Sequence, residues 1–291
     1  MELIHFLSTT PTALVGVVFV LGLLIGSFLN VVILRLPRML EQDWLQQARE
    51  TLGEEAPAQE PPRIGLVSPA SHCPSCGHRI RPWENIPLIS WLALRGRCSQ
   101  CSQAIGIRYP LVELLTGILS AVVAWQFGWG LELAAGLLLT WLLIALSGID
   151  FDTQLLPDAI TLPGLWLGLA LSLVPVFADP ADAILGAMAG YLSLWVVYQG
   201  FRLATGKEGM GYGDFKLLAL LGAWLGWSAL PVIILLSALV GAVAGILMIV
   251  TLGRDRQLPI PFGPYLAGAG WLALLWEDAL VGAYLRWSGL T

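Results

Sequence analysis

Charged residues punctuate the chain so sparsely that the gaps between them mark out its elements. Runs free of Lys, Arg, Asp and Glu cover residues 3–34, 114–131, 133–149, 159–178, 183–201, 217–253 and 257–276. A helix that crosses a bilayer needs about 20 apolar residues, within a range of roughly 17–25. Each run but the sixth fits one such helix, the first with a short polar lead. The sixth is too long for one, and Pro231 with the Gly226-Trp227-Ser228 turn predicts that it folds back near its middle. The pattern predicts an all-α polytopic membrane protein with about eight transmembrane helices.

Composition supports that solvent. The 291 residues are 57% hydrophobic and 12% charged, with a mean hydropathy of +0.76. A soluble domain carries roughly 25% charged residues, so a water-soluble globule, a disordered chain and a disulfide-stapled mini-protein are all excluded. Of the 15 basic and 20 acidic residues, nine and seven fall between Arg35 and Arg108. The chain thus divides into a first transmembrane helix (1–34), a polar insert (35–110) and a seven-helix membrane domain (111–291). A net charge of -5, with no basic patch outside the insert, argues against a nucleic-acid partner.

The basic residues also orient the chain. With the insert in the cytoplasm, 14 of the 15 Lys and Arg lie on that side, including Arg202, Lys207, Lys216, Arg254 and Arg256, and only Arg286 lies opposite. Arg35, Arg38, Arg95, Arg97 and Arg108 sit close to membrane ends, where the positive-inside rule applies. Residues 1–11 hold no Lys or Arg, and the apolar run Leu14–Leu34 exceeds the 7–15 residues of a secretory core. The first helix is expected to remain as a signal anchor, with both termini outside the cytoplasm. Gly22/Gly26, Gly164/Gly168, Gly186/Gly190 and Gly241/Gly245 are spaced four apart, which suits close helix packing.

All four cysteines lie in the insert, as Cys73-Pro-Ser-Cys76 and Cys98-Ser-Gln-Cys101. Two C-x-x-C knuckles across a short segment suit structural zinc, because four thiolates can close a tetrahedron around one ion. Two disulfides are the alternative, disfavoured on a reducing cytoplasmic side; a redox pair is another, without a thioredoxin-like pattern to support it. His72 and His78 flank the first knuckle and are expected at the surface or as donors behind the thiolates. The insert has few large apolar residues outside 86–94, and Glu41–Pro62 reads as an acidic loop. A domain with so small a core needs a staple.

Carboxylates inside or beside spans are costly and mark function. Asp150, Asp152 and Asp158 follow the third span, and Asp214 opens the sixth in G-M-G-Y-G-D-F-K. Asp158 reads as a helix cap or structural residue and Asp152 as a loop residue. Gly209, Gly211 and Gly213 alternate before Asp214 and allow unusual backbone angles or close approach of a peptide. The third and sixth spans can face one another with a carboxylate each. Two carboxylates in one site share a proton, so one can activate water while the other polarises a carbonyl.

The G-Y-G-D at 211–214 resembles the G-x-G-D signature of intramembrane aspartyl proteases. Together with G-S-F-L-N-V-V-I-L-R-L-P at 26–37, S-H-C-P-S-C-G-H at 71–78, R-Y-P-L-V-E at 108–113 and P-F-G-P at 261–264, it makes the chain similar to the bacterial type IV prepilin peptidases over nearly its whole length. The resemblance is closest to the dual-function leader peptidases and N-methyltransferases of that family. It implies removal of the basic leader of type IV prepilins and type II secretion pseudopilins after a Gly. Methylation of the new N-terminal residue, usually Phe, follows, with S-adenosylmethionine as donor. It implies Asp150 and Asp214 as the catalytic pair, selecting Asp150 over Asp152, and Cys73, Cys76, Cys98 and Cys101 as zinc ligands. The insert is then tied to methylation, and residues 111–291 form the peptidase domain. The protein would lie in the bacterial inner membrane, with the active site and insert facing the cytoplasm. No glycine-rich methyl-donor loop is visible, so the donor site is placed no more finely than the insert, around Trp83 and Glu84. The 261–264 turn reads as a helix start. The competing class is a proton-coupled transporter with a cytoplasmic zinc module, which carboxylates at a single membrane edge argue against.

Overall fold

The computed structural model describes residues 2–53, 63–252 and 260–289. Glu54–Pro62, and with them part of the expected acidic loop, lie outside the described residues, as do Arg254, Arg256 and the first residues of the expected last span. The chain forms two compact units, Met1–Gly128 and Trp129–Thr291.

The first unit contains α1 (Glu2–Thr9), α2 (Pro11–Leu52), α3 (Ile89–Ala93) and α4 (Arg108–Phe127). Residues 3–34 are therefore not one helix. Pro11 has no N–H to donate and begins a new helix at its first turn. α2 then runs well beyond its apolar stretch, so residues 41–52 are helix where a loop was expected. The segment E-Q-D-W-L-Q-Q-A-R-E-T-L is rich in strong helix formers, and Gly53 ends it in the left-handed conformation at φ 67°. α2 and α4 pack where side chains are small. A Cβ at Gly22 would come 2.7 Å from Ser120 Oγ, and one at Gly26 2.7 Å from Glu113 Cα. On α2, Val20, Leu24 and Phe28 are exposed, as a face turned to lipid would be.

The second unit contains α5 (Leu131–Thr153), α6 (Asp158–Ser172), α7 (Pro180–Thr205), α8 (Tyr212–Leu225), α9 (Leu230–Leu252) and α10 (Gly263–Ser288). With α2 and α4 they give, among the described residues, eight apolar helices of 14 residues or more in the predicted order, and the protein is a multi-pass membrane protein. Six of the helices, α2, α4, α5, α7, α9 and α10, are long and apolar enough to cross a membrane. The other two, α6 and α8, have 15 and 14 residues. The sixth apolar run does fold back where expected: Gly226, at φ 84°, ends α8, and Pro231 lies in the first turn of α9.

α8 is the core of this unit. From Asp214 to Leu225 every residue except Lys216 is buried. A helix apolar on all sides must be surrounded by protein, and α6, α7 and α10 pack against it. The glycine pairs make this possible. A Cβ at Gly186 would run into the Gly222 carbonyl, and one at Gly190 would come 2.6 Å from the Leu218 carbonyl oxygen. Gly164 and Gly168 admit Leu220 and Trp224, and Trp224 Nε1–H donates to the Gly164 carbonyl at 2.8 Å. The exposed Leu239, Val243, Ile246 and Val250 of α9 suit a lipid-facing surface.

Candidate active site and metal centre

Asp150 and Asp214 stand at helix ends that the second unit brings together. Asp150 occupies the last turn of α5, and Asp214 is the third residue of α8. Both are buried, at 5% and 8% exposure, and they lie within electrostatic range of each other. The two helices are joined through α10, which packs against both. Its first residue, Gly263, donates its backbone N–H to Asp150 Oδ2 at 2.9 Å. The helix N-terminus favours a negative group there. A Cβ at Gly263 would fall 2.7 Å from Asp150 Oδ2, so glycine is required for this approach.

The P-F-G-P turn is thus a helix start, as expected, and also the hydrogen-bond partner of a site carboxylate. Sequence reasoning missed that second role because a backbone donor leaves no side-chain signature. It also missed Leu156, which is buried between the two aspartates' neighbours. Leu156 Cβ lies 2.7 Å from where a Gly213 Cβ would be, and its Cδ2 3.2 Å from where a Gly263 Cβ would be. The glycine before Asp214 therefore makes room for this leucine. None of Gly209, Gly211 and Gly213 has positive φ, so unusual backbone angles are not what they supply.

Of the other carboxylates, Asp158 has a structural role, as expected, and Asp152 does not lie in a loop. Asp158 is the first residue of α6, after Pro157 at the cap position, and pairs with Lys216 Nζ at 2.6 and 2.8 Å. Asp214 lies inside α8, with Gly211 at the cap position. Asp152 belongs to the last turn of α5, not to a loop, because the helix continues to Thr153 and reverses only at Gln154 in the left-handed conformation. Asp152 lines a cavity of about 430 Å³ with Phe151, Met248, Pro261 and Tyr265.

In the first unit, the four cysteine Sγ atoms lie within 4.8 Å of one another and could hold a metal ion. None of the four is in a disulfide. The fold around them is a repeated knuckle. Cys73 N–H donates to His78 O and Gly77 N–H to Cys73 O; Cys98 N–H donates to Gln103 O and Ser102 N–H to Cys98 O. Each knuckle is closed by an isolated bridge, His72 to Arg79 and Arg97 to Ala104. Gly77 and Ser102 occupy matching left-handed positions at φ 71° and 58°.

The geometry fits a tetrahedral ion. Zinc–thiolate bonds of about 2.3 Å place sulfurs about 3.8 Å apart, and Cys73–Cys101 and Cys76–Cys98 are 3.7 and 4.0 Å apart. Backbone N–H groups of Cys76 and Ser75 draw the Cys73 thiol down to about 7. The Cys101 and Gln100 N–H groups lower Cys98 in the same way. The His78 amide draws Cys76 down too, but desolvation and the neighbouring thiols push it up to about 12. A cation among the four sulfurs would favour their thiolate forms.

Neither flanking histidine enters the cluster. His72 Nδ1 is 3.1 Å from Ala70 O, and His78 Nε2 is 3.1 Å from Glu84 Oε2. Glu84 also accepts the Arg81 N–H at 2.9 Å; that bond, with Ser99 and His78, holds its carboxyl down at about 2. Glu84 is therefore committed to the knuckle, whereas Trp83 is exposed, with the Arg81 guanidinium 5.5 Å over its ring. Below the knuckles, Glu113 accepts the Leu88 N–H at 2.9 Å and Asn30 Nδ2 donates to Tyr109 O at 3.1 Å. The 26–37 and 108–113 motifs meet here and tie the insert to the α2–α4 pair.

Residues 20–127 match the bacterial peptidase A24 N-terminal domain, and residues 137–246 match the type IV leader peptidase family. The chain belongs to the type IV leader peptidase family. Relatives extend over its whole length. A prepilin leader peptidase/N-methyltransferase of Pseudomonas aeruginosa is 57% identical over 99% of both chains. Proteins of the same name in Aeromonas salmonicida and Neisseria gonorrhoeae are 56% and 51% identical, covering 98% and 92% of this chain and 97% and 92% of their own. No solved structure matches this leader peptidase family member.

Proposed function

We propose that this chain is a membrane aspartic endopeptidase that removes the leader of type IV prepilins and type II secretion pseudopilins after a Gly, then N-methylates the new N-terminal residue. The observation that carries the proposal is the burial of Asp150 and Asp214 together at one set of helix ends, in a chain whose full-length relatives are prepilin leader peptidase/N-methyltransferases.

The chemistry follows from two carboxyls sharing one proton. The ionised carboxyl takes a proton from water, whose oxygen attacks the scissile carbonyl carbon, while the protonated carboxyl donates to the carbonyl oxygen. As the tetrahedral intermediate collapses, the carboxyl that took the proton from water passes it to the peptide nitrogen, the other carboxyl recovers a proton from a hydroxyl of the intermediate, and the C–N bond breaks. Gly263 N–H fixes Asp150 during these transfers, so that this carboxyl keeps its aim without reorganisation. Asp150 lies near the C-terminus of α5, and Asp214 and Gly263 lie at the N-termini of α8 and α10. Ends of this kind suit a membrane edge, where a substrate helix leaves lipid and its leader becomes accessible.

The four cysteines hold a zinc ion that staples the insert, a fit supported by their sulfur spacing. S-adenosylmethionine supplies the methyl group, and the insert is the region assigned to that step. The protein lies in the bacterial inner membrane with its insert and aspartates facing the cytoplasm. Arg202 in the last turn of α7 supports that orientation, as does Lys207 just beyond it.

The test is incubation of the purified protein with a prepilin, with and without S-adenosylmethionine, read by mass spectrometry. Leader loss under both conditions is expected, with one added methyl group only when the donor is present. An intact prepilin under both conditions overturns the proposal.

A further inference from the structure

Lys216 is oddly placed for a lysine. It is the one residue between Asp214 and Leu225 that is not buried, on a helix otherwise enclosed by protein from its third residue on. Its ammonium lies 2.6 and 2.8 Å from the two carboxylate oxygens of Asp158, the first residue of α6.

The chain path gives this pair a position of consequence. Asp150 and Asp158 belong to one continuous segment: the last turn of α5, the reversal at Gln154, the buried Leu156, and Pro157 at the start of α6. Asp214 and Lys216 belong to the other, the first turns of α8. The two segments meet at Leu156 against Gly213 and at Asp158 with Lys216. The first contact is a shape fit beside Asp214; the second is an ion pair made two residues further along the same helix. Further along, α6 and α8 are held by Trp224 on Gly164 and Gly168. The ion pair is therefore not needed to keep the helices together, and partly exposed pairs of this kind, at 28% and 55% side-chain exposure, add little stability.

We propose that Asp158 and Lys216 are positioning residues that set the separation of Asp150 and Asp214, acting as a catch between the two segments that carry them. The inference rests on Asp150 and Asp214 being the catalytic pair. Releasing the catch leaves the helices packed but loosens the seat of Leu156 against Gly213, and with it the first turn of α8, so that Asp214 moves relative to the Asp150 held by Gly263.

The test uses the full-length protein in phospholipid vesicles with a prepilin as substrate. Asp158→Asn and Lys216→Met should each lower kcat about ten-fold or more, since misplacement on the order of 1 Å costs on the order of 100-fold. KM should stay within about twofold and the thermal midpoint should not move, which separates positioning from binding and from folding. The double variant Asp158→Lys, Lys216→Asp should return kcat to within about threefold of wild type. A simple field effect of Lys216 on the nearby carboxyl would not recover, because the swap inverts the charge beside Asp214. Wild-type kcat in either single variant, or a swap no better than they are, overturns the proposal. Asp150→Asn serves as the control: cleavage by it would contradict the catalytic pair itself, whereas an inactive Asp150→Asn beside fully active Asp158→Asn contradicts the catch alone.

Discussion

Gly263→Ala adds one methyl group at the point where α10 meets Asp150. Its Cβ would stand 2.7 Å from Asp150 Oδ2, 3.1 Å from Asp150 Cγ and 3.2 Å from Leu156 Cδ2. Carbon and oxygen pack at roughly 3.3 Å or more, so the carboxyl must retreat by about 0.6 Å or the helix start must move as far. Either movement stretches the 2.9 Å hydrogen bond from the Gly263 N–H. A hydrogen bond to a charged group contributes about 1.5–3 kcal/mol, which corresponds to a loss of about 10- to 150-fold in kcat if the bond serves the transition state. Folding should be spared, because Gly263 is not in a left-handed conformation and alanine is the better helix former. The assay is leader removal from a prepilin at saturating concentration, beside methylation of a pre-cleaved pilin, which should not change. Gly268→Ala, at an exposed position of the same helix with nothing within 4 Å, should leave both activities intact. A stable Gly263→Ala protein with wild-type kcat would refute the positioning of Asp150 by this amide.

Other outcomes follow from the packing and the insert. Gly190→Leu forces a side chain against the Leu218 carbonyl and should lower the thermal midpoint, by overpacking worth about 1–3 kcal/mol or more; an unchanged midpoint would contradict the close α7–α8 approach. Replacing Cys73 and Cys76 with Ser should release about one zinc per chain and leave the insert open to protease; metal analysis finding none in the wild type would contradict the zinc assignment. Glu113→Ala strands the Leu88 N–H and should loosen the insert by about 1–3 kcal/mol, seen as faster limited proteolysis between residues 63 and 107. Glu84 holds its proton affinity at about 2 instead of 4.5, so its contribution is complete above about pH 4.5 and fades as pH falls toward 2. The difference in insert stability between wild type and Glu84→Gln should therefore narrow only below that pH; a difference independent of pH from 6 to 3 would contradict it.

The membrane architecture was legible because lipid imposes a simple rule on sequence: charge-free runs of a fixed length. The same rule shows where legibility stops. Residues 41–52 carry charges and so fell outside the runs, yet their helix formers extend α2. The cysteine spacing announced the knuckles, and the four Sγ atoms do come together within 4.8 Å of one another. Asp150 and Asp214 stood out as carboxylates beside apolar spans, but choosing Asp150 over Asp152 required the family resemblance; burial separates them, with Asp150 inside and Asp152 exposed. Gly263 and Leu156 were invisible because one acts through its backbone and the other through shape. The Asp158–Lys216 pair joins positions 58 residues apart, a pairing that depends on how α6 and α8 lie side by side.

The catalytic pair is tested most directly by Asp150→Asn and Asp214→Asn, which change charge and proton affinity with little change in shape. Each purified variant is given a full-length prepilin and, separately, a pre-cleaved pilin with S-adenosylmethionine. Leader removal should be abolished in both variants while methylation of the pre-cleaved pilin continues. Leader removal that persists in either variant would contradict the assignment of these two aspartates as the catalytic pair.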